Sequence, residues 1–171
     1  MSGGVVMLYK IGSGSRVQVK ARSKIHDTTT TWDHVAGTVE SSPDTLATEG
    51  AKARFAVDMT KFDAGDWLKN RKLRSDFEMD AHPEAIYEVR AVRDVVRTGD
   101  RFTAIAEGVL RWRGREVPLT IKGEGTMTAG AIDATGTFDL DIKQLGLKAP
   151  RFLMFKVEDE VTVEVTLKGS V

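Results

Sequence analysis

"FTAIAEGVLRW", Phe102 to Trp112, decides how this chain folds. Every second residue is apolar: Phe102, Ala104, Ala106, Gly108, Leu110 and Trp112. Successive side chains of a strand point to opposite faces, so this alternation predicts a strand with one dry face. The middle of that face is Ala, Ala and Gly, where buried sheets usually carry large aliphatic residues. The space these small residues leave must be filled by something else.

The same period of two recurs along the chain. It runs through Val17–Ala21, Val35–Val39, Ala53–Met59, Ala85–Ala91, Val117–Ile121, Ile132–Ile142 and Val161–Leu167, and a short strand is expected near Met7–Ile11. Polar residues separate the apolar ones, unlike the continuous apolar runs of doubly covered parallel strands. Turn signals divide the strands: "GSGS" at Gly12–Ser15, "RTGD" at Arg97–Asp100, "RWRGRE" around Gly114 and "TAGA" at Thr128–Ala131. Short links after Arg90 predict antiparallel hairpins between sequence neighbours. Long, twisted hairpins hide their edges best by closing on themselves.

The fold expected is therefore all-β: an antiparallel eight-stranded, lipocalin-like barrel with one short helix inserted. The 171 residues make one domain. Residues 1–14 supply an N-terminal strand and turn belonging to the barrel, and residues 15–171 supply the barrel domain. The helix is expected within "DAGDWLKNRKLRSDF", Asp63–Phe77, where period two fails and Asp63 can cap a first turn that also holds Asp66. His82-Pro83 turns the chain into the next strand. The loop Gln144–Asp159 is rich in Leu, Phe and Met and reads as core closure or as an apolar lip.

Composition removes several function classes. The chain has no cysteine, which excludes disulfides, thiolate catalysis and Cys-ligated metal sites. Lys plus Arg equals Asp plus Glu at 25 each, so no global field draws the protein to nucleic acid. No stretch is long enough for a membrane-spanning helix, and the start lacks the pattern of a leader. Cytoplasmic residence is the expectation.

An eight-stranded barrel either fills its inside with its own side chains or holds one small ligand. Small inward residues (Ala21, Gly37, Ala53, Ala85, Ala91, Ala104, Ala106, Gly108, Ala134, Gly136) face large ones such as Phe55, Tyr87, Phe102, Trp112 and Phe138. Interiors pack densely, so either the large residues interdigitate with the small ones or a guest fills the gap. Small residues also ease barrel curvature without any ligand. A guest suited to this wall is apolar and long.

Four stretches, in order, resemble the YceI-like family. "SRVQVKARSKIHDTTTTWDHVAGTVE" (Ser15–Glu40) is similar to its opening strand, histidine and "V-x-G" strand. "LRSDFEMDAHPEAIYEV" (Leu73–Val89) resembles its "L-x-S-x-x-F" helix end and following strand, with Arg71 and Lys72 where the family carries an acid and a His. "GVLRWRGREVPLTIKGEGTM" (Gly108–Met127) resembles its "G-x-L-x-x-r-G" hairpin, and Gly136–Gly169 resembles its ending. The resemblance implies a bacterial lipocalin-like barrel enclosing a polyisoprenoid or similar amphiphilic lipid. On that reading the partner is an apolar lipid and the wall comprises Phe55, Val57, Tyr87, Phe102, Ala104, Ala106, Gly108, Leu110, Phe138 and Leu140. Trp67, Leu73 and Phe77 of the helix join the wall, and Lys72 and Arg74 are candidates for a headgroup. No cofactor is expected beyond a bound polyisoprenoid or fatty-acid-like lipid. The rival reading is a self-filled barrel acting as an interaction module or homodimer.

Catalytic and metal patterns are weak. His26 and His34, with Asp27 and Asp33, flank one turn, but a metal site needs three or four ligands in defined geometry. No G-x-S-x-G motif is present, and "GSGS" reads as a turn. Glu158 and Asp159 form an acidic pair that is better explained as a solvated strand entry than as an acid–base couple. "KNRKLR", Lys69–Arg74, reads as a solvated helix face or a phosphate contact. The protein is expected not to be an enzyme.

Overall fold

Alternating residues become strands in a computed structural model, which describes residues 6–24, 27–149, 151–152 and 155–171, with the backbone alone for 151–152 and 155–156. The elements are β1 (Met7–Ile11), β2 (Arg16–Ser23), β3 (Thr28–Trp32), β4 (Val35–Ser41), α1 (Leu46–Glu49), β5 (Lys52–Asp58), β6 (Phe62–Asp63), α2 (Trp67–Asp76) and β7 (Glu84–Thr98). They continue with β8 (Arg101–Trp112), β9 (Arg115–Met127), β10 (Ala131–Asp141), a 3-10 turn (Ile142–Leu145), β11 (Arg151–Phe152) and β12 (Phe155–Ser170).

Eight staves close a ring in the order β1-β4-β5-β7-β8-β9-β10-β12, and β12 returns to β1 through Lys10↔Ser170 and Ile11↔Gly169. Every pairing in the ring is antiparallel. β2 lies on the same side of β12 as β1, and β3 pairs with β2. β1 and β2 thus form one stave with a break, and β3 and β4 form its partner. The barrel is an up-and-down meander, as the short hairpins implied.

"GSGS" is the expected turn, with the Ser15 amide donating to the Gly12 carbonyl at 3.0 Å, and it also forms the break in the stave. Gly12 donates to the Lys168 carbonyl at 3.1 Å. The Ser15 hydroxyl donates to that same carbonyl at 3.2 Å, while the Lys168 amide donates to Ser15 Oγ at 2.9 Å. A side chain thus replaces backbone pairing while the chain bends between two strands on one neighbour.

The hairpin tips follow from backbone chemistry. Arg113 and Gly114 both have positive φ, 56° and 71°, as a two-residue type I′ turn requires. β7 runs further than its alternation because it contains two register shifts, Val89/Ala91 and Arg93/Val96. An extra residue flips the side-chain parity. Ala91, expected inside, is therefore exposed, and Val92 faces inward in its place. Asp94, with φ 53°, sits in the second shift.

Asp66, rather than Asp63, caps α2, accepting from the Lys69 amide at 2.9 Å. The Asp63 carboxylate instead receives the Gly65 amide and the Asn70 side chain. α2 buries Leu73 against Trp32, Met59, Met79 and Trp112 in the larger of two core clusters. The smaller cluster, Tyr9, Ile11, Val39, Leu46, Met127 and Ile132, lies toward α1 at the other end. Outside, Arg93 pairs with Glu107 at 2.6 Å, and Arg111 bridges Glu88 and Glu116 at 3.1 and 3.0 Å. These ion pairs are exposed and contribute little each.

Candidate ligand cavity

Between the two clusters the barrel encloses an apolar cavity of about 300 Å³. β8 explains where it comes from. Phe102, Ala104, Ala106, Leu110 and Trp112 line it, and Gly123 of β9 faces the same space. Ala104 and Ala106 are only half-buried although they point inward, because the surface they expose is the cavity wall.

Gly108 is different. A Cβ built there would lie 2.7 Å from Tyr87 Cζ and 2.8 Å from its hydroxyl. The Tyr87 ring lies over the glycine and donates to the Leu119 carbonyl at 3.0 Å, on the next strand. Other wall glycines are matched likewise: Phe55 lies over Gly37 and Ile121 over Gly136. Gly37, Gly108 and Gly136 are thus covered by neighbours, whereas Gly123, Ala104 and Ala106 face the cavity.

The polar atoms of the wall's described aromatic residues are all committed to the protein. No charged side chain lines the cavity among the described residues. Trp32 Nε1 donates to the Met59 carbonyl at 3.2 Å, and Trp112 Nε1 to the His82 carbonyl at 2.8 Å. Tyr87 is likewise committed to Leu119. Burial, with the nearby Glu107 charge adding to it, pushes the Tyr87 phenol up to about 12, so it stays neutral at ordinary pH. Polar handles on aromatic side chains are satisfied by the backbone, and the faces left to the cavity are hydrocarbon.

Of the residues singled out by sequence, Phe55, Val57, Phe77 and Tyr87 line this cavity, as do Phe102, Ala104, Ala106 and Leu110, with Phe138 and Leu140. The others do not. Gly108 lies beneath Tyr87, and Leu73 is buried under α2 in the core. Trp67 is 68% exposed on the outside of α2. Lys72 pairs with Asp76 at 2.9 Å. Arg74 is held by Asp80 and the Thr60 carbonyl, both at 2.9 Å, and lies 5.3 Å from the Phe62 ring. Neither cation reaches the cavity.

Several wall residues went unremarked. Trp32 ends "TTTTW", taken as turn, yet threonine favours strands and this run is β3. Val161, Val163 and Val165 were visible in the clean alternation of the last strand, and Leu145 and Leu147 follow from the 3-10 turn that replaces the expected strand end at Ile142. Pro150, Leu153 and Met154 of the loop read as core closure or an apolar lip, and His26 of the turn that reads poorly as a metal site, lie outside the described residues. His34 is exposed and contacts Asp33 at 2.7 Å. No three metal-capable side chains converge among the described residues. Glu158 is exposed, and Asp159 lies 3.9 Å from Lys143.

Comparison with known proteins fits this geometry. The family model for the YceI-like domain matches residues 9–169. The chain belongs to the YceI-like family. No curated protein matches it by sequence. Among solved structures this YceI-like chain is similar to BcnA of Burkholderia cenocepacia, with TM-score 0.73 and 18% identity over 90% of this chain and 95% of that one. It is similar to a polyisoprenoid binding domain from Saccharophagus degradans, implicated in plant cell wall breakdown, with TM-score 0.75 and 14% identity over 98% and 99% of the two chains. The Campylobacter jejuni YceI protein follows with TM-score 0.63 and 9% identity over 83% and 84%. At these identities the shared feature is the fold.

Proposed function

We propose that the protein binds a long apolar lipid, of isoprenoid or fatty-acid type, inside the barrel and carries or sequesters it without catalysis. The observation that carries this reading is the cavity of about 300 Å³, lined among the described residues almost entirely by hydrocarbon, with the polar atoms of Trp32, Tyr87 and Trp112 committed to backbone carbonyls. The polyisoprenoid ligand class of the Saccharophagus degradans domain supports the same choice. A barrel filled by its own side chains has no such space.

The volume limits the guest. An engineered apolar cavity of about 150 Å³ accepts benzene, so twice that volume accommodates on the order of a dozen carbons. That is about two isoprene units, and a longer chain must leave through an end or widen the barrel. At about 0.8 kcal/mol per methylene, a dozen carbons contribute roughly 10 kcal/mol. Association costs at least about 4 kcal/mol of this, leaving dissociation constants of about tens of micromolar or weaker for that buried part.

Organic extraction of the purified protein, followed by mass spectrometry, should release a stoichiometric apolar lipid. Ala106→Trp should abolish the load while leaving the unfolding midpoint near the parent value, because the indole enters space that is already empty. Parent protein that yields no lipid and takes up none from an added isoprenoid alcohol would refute the proposal.

A further inference from the structure

The outward face of α2 is built differently from the rest of the surface. Trp67 and Leu68 are 68% and 57% exposed, side by side. On a helix the residues stacked above them are four positions on, Arg71 and Lys72, and both are exposed. The opposite face buries Leu73 in the core, and Phe77, just past the helix end, packs 6.4 Å from the cavity-lining Trp112. One helix therefore stands between the apolar interior and a basic, aromatic outer face.

Its charge is local. α2 carries Lys69, Arg71, Lys72 and Arg74 against Asp76 alone, in a chain whose total charge is zero. Asp66 is committed to the cap and Asp80 to Arg74. Tryptophan and leucine beside lysine and arginine suit the boundary between lipid headgroups and acyl chains. No helix among the described residues is long and apolar enough to cross a membrane, so the match is to a surface contact.

We propose that this face of α2 docks the protein on an anionic lipid bilayer, with Trp67 and Leu68 entering the headgroup boundary and Arg71 meeting lipid phosphates. The proposal rests on the lipid-binding reading for its purpose, since a lipid too insoluble to diffuse alone must be collected at a membrane. It does not rest on that reading for its chemistry.

Trp67 offers a direct probe, because Trp32 and Trp112 are 5% and 6% exposed. The full chain is mixed at low salt with vesicles of phosphatidylcholine containing a third phosphatidylglycerol, and with phosphatidylcholine alone. Flotation with the anionic vesicles and a blue shift of tryptophan emission are expected. Trp67→Ala with Leu68→Ala should lower association about tenfold or more, and Arg71→Ala about fivefold. These positions are exposed, and circular dichroism confirms that the variants fold. No flotation with anionic vesicles, or flotation unchanged in the variants, overturns the docking. Concentration-dependent dimers that the double variant abolishes, without vesicle binding, overturn it in favour of a second copy on this face. Lipid extraction is run on the same samples: a loaded barrel that ignores vesicles sinks only the docking, whereas a vesicle-bound but persistently empty barrel sinks only the cavity's function.

Discussion

The two ends of this barrel are closed by different means. At the α2 end, Trp32, Met59, Leu73, Met79 and Trp112 form a broad buried cluster. Arg113 ties its loops together there, donating to the Phe77 carbonyl at 2.6 Å and the Leu145 carbonyl at 3.3 Å. At the α1 end a smaller cluster is capped by the four-residue α1 and by Tyr9, whose hydroxyl donates to the Thr128 carbonyl. Between them the wall alanines leave the cavity. The contrast teaches that closure and capacity are built separately: large side chains bury each end, and alanines among the larger wall residues between them face the cavity.

The largest expected effect is at the α2 end. Trp112→Ala should cost about 3–5 kcal/mol, from lost burial and the cavity left behind, together with its bond to His82. Tyr9→Phe, which removes only the closing hydrogen bond of the other end, should cost about 1 kcal/mol. Urea titrations that returned equal losses would erase the difference between the ends.

Gly108→Ala tests the boundary between filled and hollow wall. The added methyl collides with the Glu88 carbonyl of β7 as well as the Tyr87 ring, so β7 must shift and Tyr87 must leave the glycine and its bond to Leu119. A loss of about 1–3 kcal/mol is expected, as for overpacking elsewhere. The displaced ring should also reduce lipid load, which extraction measures. A neutral substitution would show that β7 and Tyr87 do not press on Gly108.

The smallest effect is read in strongly alkaline solution. The Tyr87 phenol is raised from 10 to about 12, mainly by burial. Its folded form therefore holds the proton more tightly than the unfolded form. The corresponding stability is complete below pH 10 and is lost as pH rises from 10 toward 12. Tyr9 is raised too, by burial that the Arg97 charge opposes. Denaturation midpoints between pH 10 and 12 should fall less steeply in Tyr87→Phe than in the parent, and Tyr9→Phe should change the slope less.

Much of this was legible in residue order. Strict alternation at Phe102–Trp112 and Val161–Leu167 reports sheets with one dry face, and both became long staves. What escaped has specific causes. The bulges in β7 exchange the faces of Ala91 and Val92, and nothing local in "RAVRDVV" marks where an extra residue enters. Trp67 has the same hydrophobic payload as Trp112, yet one is outside and the other buried, because the packing of α2 on the barrel decides the face. Lys72 and Arg74, candidates for a headgroup, pair with Asp76 and Asp80 and do not line the cavity, a placement that depends on how α2 packs.

By itself the sequence determined that the chain makes paired strands with one apolar face, that they are joined by tight hairpins, and that no charge or thiol chemistry serves the interior. These are consequences of side-chain period and of backbone freedom at glycines such as Gly114, which act over a few residues. Only the tertiary structure decided which small residues are covered and which stay open. Tyr87 fills the place of Gly108 from the neighbouring strand, while Ala104 and Ala106 line the cavity. Volume inside a closed barrel is shared among all its staves, so a hollow is a property of the ring and of no single strand.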